Sequence, residues 1–380
     1  MNMKRKRLLL FFTYGVSLKT WKESGTLERD LVLYKKLQEE GVDTLFITYG
    51  RKQDLEIAKE VDVNVFCNTF YLPRFIYFLF LPFLIFVKRI KFDLIKSHQF
   101  IGTLPAVIMH WLSKKKYYAR GGYVPTYFFK SEKYNSIKHF FRYVMTLFDE
   151  ILIAKYADKI LVPSDEEKRY LQERHKRTKD SIFVLQPNWI DTNIFVTNPE
   201  IKKKNRSIIF IGRYEDQKNP ILFLESIKDI PDISVTMVGA GSLYGDVVSF
   251  VKENGLNVKV HEDRIENSKL PKMLQEHQVY VLTTSFEGGS PKTLLEAMSC
   301  GLPVVASDTF GTREAFENEE HGLKCELNST AFKKAITTLL NNEEICDKFG
   351  MQARKHIESH YSLDTVFTTE YSLINHLTSP

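Results

Sequence analysis

A glycine-rich loop between two glutamates carries the strongest chemical signal in the sequence. Residues 283–307 read TTSFEGGSPKTLLEAMSCGLPVVAS, in which Glu287 precedes the loop and Glu296 lies in a predicted helix, Lys292–Ser299. The start of a helix presents unpaired backbone N–H groups and the positive end of the helix dipole, and both attract a phosphate. Carboxylates accept hydrogen bonds from hydroxyls instead. A phosphate-binding loop flanked by two hydroxyl acceptors predicts a nucleotide-sugar site.

Two cations precede this segment and point to the same ligand. Gly212 and Arg213 directly follow the β-rich run Ser207–Ile211, and Lys218 comes five residues after Arg213. Ligands of open α/β sheets bind at strand ends. An arginine offers a planar fork of donors and a lysine a point charge, a combination suited to a diphosphate.

The elements that must position these residues alternate between strand and helix. The N-terminal half predicts a strand at Arg7–Phe12, a polar loop at Thr13–Gly25, a helix at Thr26–Glu40 and a strand at Asp43–Thr48. The C-terminal half predicts four short strands separated by helical patterns: Ser207–Ile211, Ser234–Val238, Val279–Thr283 and Pro303–Ala306. This alternation predicts α/β architecture with two doubly wound, Rossmann-like domains facing across a cleft, joined by a polar linker at residues 192–206.

Length and charge agree with two domains of different character. The chain has 380 residues, which favours two domains over one. Residues 1–195 hold 33 Lys and Arg against 21 Asp and Glu, a net charge of +12, whereas residues 196–380 carry −6. A basic half can face an anionic membrane or nucleic acid, or can simply carry solvated lysines. Because no nucleic-acid-binding module is recognisable, we expect no nucleic-acid partner.

An unusually aromatic apolar segment, Phe75–Val87, lies in the basic half. Its 13 residues would form a helix of roughly 20 Å, too short for a bilayer core of about 30 Å. Two interpretations stay open, a buried helix of the first domain or an apolar surface that dips into a bilayer beside Lys88, Arg89 and Lys91. Four scattered cysteines without a Cys-x-x-Cys pair favour a reducing, cytoplasmic compartment.

The motifs together resemble the family 4 glycosyltransferases, which are retaining enzymes of the GT-B fold. The resemblance covers most of the chain. Besides the two glutamates, residues 157–164 (ADKILVPS) resemble the last strand of the family's N-terminal domain. Residues 187–191 (PNWID) resemble the family's crossover between domains, with Trp189 where the family usually has Gly. A glycine turn at residues 238–241 (VGAG) and a closing segment at residues 361–371 also fit. It implies an acceptor-binding domain at 1–195, a nucleotide-sugar-binding domain at 196–360, and a helix at 361–380 that crosses back to the first domain.

The resemblance also implies residue roles. Arg213 and Lys218 would hold the donor diphosphate, Glu296 the ribose hydroxyls, and Glu287 the transferred sugar. The family usually has seven residues between its glutamates, whereas Glu287 and Glu296 have eight between them. Many relatives place a His near the reaction centre, for which this chain offers His98 and Arg120, so that Glu287, His98 and Arg120 form the predicted catalytic set. The predicted donor-binding residues are Gly212, Arg213, Lys218, Gly241, Arg264, Glu287, Gly288, Gly289, Ser290, Pro291, Lys292, Thr293 and Glu296.

The expected activity follows from that resemblance. The chain would transfer a hexose, with retention, from a UDP- or GDP-linked sugar to a glycan or polyprenyl-linked acceptor in cell-envelope glycan synthesis, such as capsule or lipopolysaccharide. No metal or other cofactor is expected, since the sequence has no Asp-x-Asp and the cations can stabilise a leaving diphosphate. The expected location is the cytoplasmic face of the cell membrane, as a peripheral protein. The alternative is a non-catalytic homologue that binds nucleotide or membrane and supports a partner enzyme.

Overall fold

The computed structural model describes residues 5–131, 137–176, 179–262, 265 and 268–379. The chain divides into two units, one formed by Met1–Gln186 with Phe367–Pro380 and the other by Pro187–Val366. The first unit therefore ends before Pro187 and not after residue 195. Residues 187–195 join the second unit because Ile190 and Phe195 are buried in its core, and the Ile190 amide donates to the Tyr361 carbonyl at 2.8 Å.

The first unit is a parallel sheet with helices between successive strands. Within its described residues seven strands pair in the order β3-β2-β1-β4-β5-β6-β7, every pair parallel. The strands are β1 Lys6–Phe11, β2 Val42–Ile47, β3 Asn64–Phe66, β4 Leu94–Ser97, β5 Tyr117–Arg120, β6 Lys159–Val162 and β7 Phe183–Leu185. The helices are α1 Leu18–Glu23, α2 Leu27–Glu39, α3 Lys52–Glu60, α4 Arg74–Val87, α5 Leu104–Ser113, α6 Pro125–Ser131, α7 Ile137–Tyr156 and α8 Asp165–Arg174.

The second unit repeats the plan with six strands among the described residues. Their order is β10-β9-β8-β11-β12-β13, again all parallel. The strands are β8 Ser207–Ile211, β9 Ser234–Val238, β10 Val258–His261, β11 Val279–Leu282, β12 Val304–Ser307 and β13 Gly322–Cys325. The helices are α9 Pro220–Ile227, α10 Tyr244–Glu253, α11 Leu270–Gln275, α12 Lys292–Ser299, α13 Ser329–Leu340 and α14 Glu343–His360, followed by α15 Leu363–Thr378, whose last part belongs to the first unit.

Each sheet reverses its winding direction once, and these reversals matter for ligand binding. In the first sheet the chain moves outward from β1 in one direction to β3 and then restarts at β4 on the other side of β1. In the second sheet the same reversal separates β8 from β11. Ligands of doubly wound sheets bind at the carboxyl ends of the strands beside such a reversal. The loops after β1, β4, β8 and β11 are therefore the places to look for sites.

The core follows from the alternation of side chains along the buried strands. Along β8, Ile209 and Ile211 join one apolar cluster, and Ile208 and Phe210 join the cluster on the opposite face. The predicted loop at Thr13–Gly25 contains the short helix α1, which is a correction to the sequence analysis. The Ser17 hydroxyl caps α1 by accepting from the Thr20 amide at 3.0 Å.

The predicted linker at residues 192–206 is another point of difference. Its first residues are fixed to the second unit, because the Arg354 guanidinium donates to the carbonyl of Thr192 at 3.0 Å and also contacts that of Phe195. Further along, the Lys204 amide donates to the Glu276 carbonyl at 2.8 Å. The segment is polar because it covers the surface of the second unit.

Candidate functional site

The loop after β8 begins with a close backbone approach that requires glycine. The Gly212 amide donates to the Val238 carbonyl at 3.0 Å, and a Cβ added at Gly239 would lie only 1.9 Å from the Gly212 carbonyl oxygen. A Cβ at Gly241 would likewise lie 2.3 Å from the Tyr214 carbonyl oxygen. The glycine turn after β9 is therefore needed so that the two loops can pack backbone against backbone.

The two predicted cations of this loop have different environments. Arg213 is exposed and donates from Nη2 to Oε1 of Gln217 at 2.7 Å. Lys218 is almost buried, and its ammonium forms an ion pair with the Glu287 carboxylate, which is also almost buried. The sequence predicted both residues for the donor site, and the structure brings Lys218 and Glu287 into direct contact.

The loop after β11 is connected to the loop after β8 by several hydrogen bonds. The Ser285 amide donates to the Gln217 carbonyl at 2.8 Å, and Nε2 of Gln217 donates to the Phe286 carbonyl at 2.8 Å. The Thr283 hydroxyl donates to the Lys218 carbonyl at 2.9 Å. Because β8 and β11 are adjacent strands, these bonds make the two loops one polar surface at the winding reversal of the second sheet.

Glu287 is held from a third loop that the sequence analysis did not single out. The Glu287 amide donates to the Phe310 carbonyl at 2.8 Å. Gly311 has a φ of +83°, and a Cβ added there would lie 2.6 Å from the Glu287 carbonyl oxygen and 2.7 Å from its Cβ. Only glycine combines this backbone conformation with so close an approach. A glycine soon after a buried strand, here β12, is the signal in the sequence that could have identified this contact.

The helix α12 starts where the predicted phosphate-binding loop ends. Pro291 precedes its first residue, and Glu296 lies in its second turn, 5% exposed. The helix start is fixed by bonds from the Tyr280 hydroxyl to Thr293 Oγ1 at 2.8 Å and from Asn188 Nδ2 to the Ser290 carbonyl at 3.2 Å. The Leu294 and Leu295 amides both donate to the Pro291 carbonyl at 3.1 Å, and the positive end of the α12 dipole at this point attracts an anion.

The remaining donor-binding predictions are distributed around this helix start. Gly288, Gly289 and Ser290 connect Glu287 to α12, and Gly289 has a φ of +67°. The Lys292 ammonium lies 5.3 Å from the centre of the Trp189 ring. Arg264 lies outside the described residues.

The predicted catalytic residues of the first unit lie at the ends of two adjacent strands. His98 follows β4, with its Nδ1 3.3 Å from the Tyr34 hydroxyl and its ring centre 5.1 Å from that of Trp21. Burial, together with the nearby Arg120 guanidinium, lowers the pKa of His98 to about 3. The ring is therefore neutral near pH 7, able to accept or donate one hydrogen bond but not to act as a cation.

Arg120 ends β5 inside a cluster of buried charges. The Lys96 ammonium pairs with the Glu370 carboxylate, and both side chains are fully buried. Arg120, 9% exposed, contributes to the electrostatic environment of His98 and Glu370. The structure thus gives this guanidinium a role within the first unit that the sequence did not reveal.

The apolar segment in the first unit is both a core helix and an exposed surface. On α4 the buried residues include Phe78, Leu81 and Ile85, so the core interpretation holds for that face. The opposite face is exposed and apolar: Phe75, Ile76, Leu79, Phe80, Phe83, Phe86 and Val87. Within the described ranges, no helix has both the length and the apolar character needed to cross a bilayer.

A second exposed apolar stripe lies on α7 and was missed by the sequence analysis. Its members recur every three or four residues, a pattern that normally faces a core. They are Ile137, Phe140, Phe141, Val144, Met145, Phe148 and Ile151. We call the exposed apolar residues of α4 and α7 together the apolar face.

In the part of the chain that the structure describes, no three His, Cys, Asp or Glu side chains are arranged to hold a metal ion. The four cysteines are unpaired and buried.

Two family profiles together cover most of the chain. The profile of the family described as Glycosyl transferases group 1 matches residues 191–356, and that described as Glycosyltransferase Family 4 matches residues 31–194. A UDP-Gal:alpha-D-GlcNAc-diphosphoundecaprenol alpha-1,3-galactosyltransferase of Escherichia coli is 27% identical over 352 residues, covering 82% of this chain and 88% of its own.

Solved structures resemble the whole chain in fold. The Anabaena protein HepE, crystallised with UDP and glucose, superposes with a TM-score of 0.75 at 15% identity, covering 98% of this chain and 100% of its own. A sucrose-phosphate synthase of Thermosynechococcus elongatus superposes with a TM-score of 0.76 at 18% identity, covering 98% and 99%.

Proposed function

Because the chain belongs to the family 4 glycosyltransferases and has their GT-B fold, we propose that it transfers a hexose from a nucleoside-diphosphate sugar to a lipid-linked acceptor in cell-envelope glycan synthesis, with retention of the anomeric configuration. The observation that carries this proposal is the polar surface of the second unit. There Lys218, Glu287 and the start of α12 meet at the winding reversal of the sheet.

The donor diphosphate would bind at the start of α12. Departure of the diphosphate leaves negative charge on its oxygens, and preorganised cations and amides stabilise such charge without rearranging. Arg213 and Lys218 supply the cations, and the positive end of the α12 dipole adds to their attraction for the diphosphate. The ion pair with Glu287 holds the Lys218 ammonium in place before the diphosphate arrives.

The two glutamates would accept hydrogen bonds from hydroxyl groups of the nucleotide sugar. Glu296 lies in the second turn of α12, and we assign it to the ribose hydroxyls. Glu287 is fixed by Lys218 and by the Phe310 carbonyl, and we assign its free carboxylate capacity to the transferred sugar. UDP is the first nucleotide to test, since UDP is bound by HepE and UDP-galactose is named for the Escherichia coli relative; GDP is the second.

The reaction would need no metal and no enzymatic nucleophile. The leaving phosphate oxygen would take the proton of the acceptor hydroxyl as that hydroxyl attacks from the face the diphosphate leaves, so the bond to the diphosphate breaks as the new glycosidic bond forms. His98 and Arg120, at strand ends of the first unit, are the candidates to orient the acceptor. The test of metal independence is the transfer rate in excess EDTA, which we expect to equal the rate without it.

The first unit would meet the acceptor at the cytoplasmic membrane surface. The basic charge of residues 1–195 favours an anionic surface, and the apolar face offers side chains to the bilayer interface. The lipid-linked acceptor named for the Escherichia coli relative supports the same placement.

Calorimetric titration with UDP, GDP, ADP and CMP tests the donor site. We expect one nucleoside diphosphate to saturate the protein and Glu296→Ala to weaken its binding by about tenfold or more, since hydrogen bonds to a charged group contribute about 1.5–3 kcal/mol. The matched control is Glu344→Ala, which removes an exposed glutamate on α14. A folded protein that binds none of the four would favour the non-catalytic homologue instead.

A further inference from the structure

A deep groove lies at the winding reversal of the first sheet. It encloses about 580 Å³, within the range of about 300–1,000 Å³ typical of small-molecule sites. Its walls come from the loops after β1 and β4 and from the helices α4 and α7. The residues that give it its apolar character include Tyr14, Phe75, Phe78, Leu104, Met145 and Phe148.

The groove is continuous with the apolar face. Phe75 on α4 and Met145 and Phe148 on α7 line the groove, and all three are also among the exposed apolar residues of those helices. The groove is also lined by Thr13 and Gly102, which lie in the loops after β1 and β4. A hydrocarbon chain that lies in the groove would thus run from the apolar face to the edge of the sheet where ligands bind.

Two guanidinium groups lie at or near the groove, one in its lining and one on the residue before Phe75. Arg142 lines the groove, with its guanidinium 5.4 Å from the centre of the Phe129 ring. Arg74 begins α4, and its Nη1 is 3.3 Å from the position that a Cβ of Gly15 would take in the loop after β1. Neither Arg74 nor Arg142 forms an ion pair with a carboxylate among the residues the structure describes.

The carboxylate that lines the groove is already engaged. Asp149 accepts the amides of Gly102 at 2.8 Å and Thr103 at 3.1 Å, at the start of α5. Burial raises the pKa of Asp149 to about 6, although the two amides favour the charged carboxylate. The charges left for a ligand are therefore positive.

We propose that this groove binds the first isoprenoid units of a prenyl diphosphate, with the diphosphate beside Arg74 and Arg142. The inference rests on the proposed function, which it extends by making the hydrocarbon part of what the enzyme recognises. A prenyl chain fits because it is long, narrow and apolar and carries its anion at one end. Contact of the apolar face with a bilayer would not require an enclosed groove, whereas binding of a single prenyl chain would.

Farnesyl diphosphate is the probe, titrated by calorimetry in the absence of vesicles and with UDP present to occupy the donor site. Ethyl diphosphate has the same anion without the chain. We expect wild type to bind farnesyl diphosphate at least about tenfold more tightly than ethyl diphosphate, because burial of each CH₂ contributes about 0.8 kcal/mol.

Met145→Glu should weaken farnesyl diphosphate binding by about tenfold or more and ethyl diphosphate binding by less, since the new carboxylate, one turn from Arg142, opposes either diphosphate but disrupts the apolar wall only for the chain. The matched control is Met351→Glu on α14 of the second unit, where the methionine is 56% exposed compared with 54% for Met145. If Met145→Glu does not fold, Arg142→Gln tests the proposal instead. It should weaken binding of farnesyl diphosphate and leave binding of farnesol, which lacks the diphosphate, unchanged.

Equal binding of farnesyl and ethyl diphosphate would overturn the proposal. So would a Met145→Glu variant that loses binding to phosphatidylglycerol vesicles while keeping farnesyl diphosphate, since the groove would then be only part of a bilayer-contacting surface. The proposed function fails by a different result, the absence of nucleotide binding or of transfer, and that result leaves the farnesyl titration interpretable.

Discussion

At the scale of single residues, the ion pair between Lys218 and Glu287 links the two halves of the donor site. Both side chains are about 10% exposed, so neither charge is well solvated. A buried charge that loses its partner costs about 3–5 kcal/mol. The pair therefore couples the stability of the second unit to the residues that would bind the diphosphate and the sugar.

Lys218→Met should lower the free energy of unfolding by about 3–5 kcal/mol and should also weaken UDP binding. Adding Glu287→Gln to Lys218→Met should restore most of the stability, because no unpaired charge stays buried, but should not restore nucleotide affinity. Urea unfolding and calorimetry of the single and double variants measure the two effects. Recovery of UDP affinity in the double variant would show that Lys218 does not contact the diphosphate.

Gly311→Ala tests whether the loop after β12 positions Glu287. The added methyl group would lie 2.6 Å from the Glu287 carbonyl oxygen, so Glu287 must move, and displacement of a positioned group by about 1 Å can cost about 100-fold in rate. We expect kcat to fall by about that factor while the Kd of UDP changes little.

The control for Gly311→Ala is Gly255→Ala. Gly255 also has a positive φ, +58°, but nothing lies within 4 Å of the position of the new Cβ. Both variants should lose some stability through backbone strain, and only Gly311→Ala should lose turnover. Equal losses of turnover would mean that strain, and not the contact with Glu287, is responsible.

At the scale of elements, the part of α15 that belongs to the first unit is fixed to the first sheet by a buried carboxylate. Glu370 pairs with Lys96 of β4 and accepts from the Tyr118 hydroxyl at 2.9 Å and from Gln186 Nε2 at 3.0 Å. Burial alone would raise the pKa of Glu370, but the Lys96 ammonium lowers it below the ordinary value overall. The chain thus closes the first unit with its last helix.

Glu370→Ala should lower the free energy of unfolding by about 3–5 kcal/mol, because Lys96 would stay buried without its partner. Glu60→Ala is the contrasting control, since it removes an exposed pair with Lys22 and should cost less than about 1 kcal/mol. Since the folded-state pKa of Glu370 is depressed, its contribution is present above the unfolded-state pKa and is lost as pH falls through the folded-state value. Urea unfolding of the two variants near pH 7 and at lower pH measures the loss of stability and its pH dependence. A loss of less than about 1 kcal/mol in Glu370→Ala near pH 7 would contradict the role of Glu370 in fixing α15.

Elements and loops that local sequence determines were predictable, and those that depend on distant contacts were not. β8, β9 and α12 have the predicted bounds, because each is a short apolar or helical run closed by glycine, proline or a polar turn. α1 was missed because the carboxylate of Asp54, far along the chain, accepts the amides of Leu18 and Lys19. No local pattern contains that contact.

The same distinction applies to the candidate site. The positions of Lys218, Glu287 and Glu296 in the loops after two strands or within α12 were predictable from the sequence, because each of these elements has a local signal. The ion pair of Lys218 with Glu287, the support from Gly311 and the burial of Arg120 beside Glu370 join segments far apart in sequence. The apolar stripe on α7 has the period of a core helix, so sequence alone could not show that it is exposed.

At the scale of the whole molecule, the two units differ in charge and in exposed apolar surface. The basic charge belongs to the N-terminal half, which also carries the apolar face. Apolar burial at a bilayer interface and attraction to anionic lipid add to each other, and salt screens only the second. The combination predicts that the protein binds anionic vesicles more tightly than neutral ones and that salt weakens this binding only in part.

Replacing Phe83 and Phe86 with Ser should release the protein from phosphatidylglycerol vesicles, because these side chains are 59% and 72% exposed on α4. Phe78 is unsuitable for this test because it is buried. Met351→Ser, an exposed apolar change in the second unit, is the control. Vesicle sedimentation measures binding, and unchanged sedimentation of a folded Phe83→Ser/Phe86→Ser variant would contradict a membrane role for α4.

The most direct test of the account is sugar transfer itself, measured by mass spectrometry with a panel of UDP- and GDP-hexoses and a prenyl-diphosphate-linked sugar acceptor in excess EDTA. We expect one donor to add a single hexose to the acceptor, with the anomeric configuration of the donor retained. Glu296→Ala should slow the transfer strongly, and Glu344→Ala should not. A folded protein that binds a nucleoside diphosphate but transfers no sugar, or that transfers it equally well as Glu296→Ala, would contradict the assignment of the donor site.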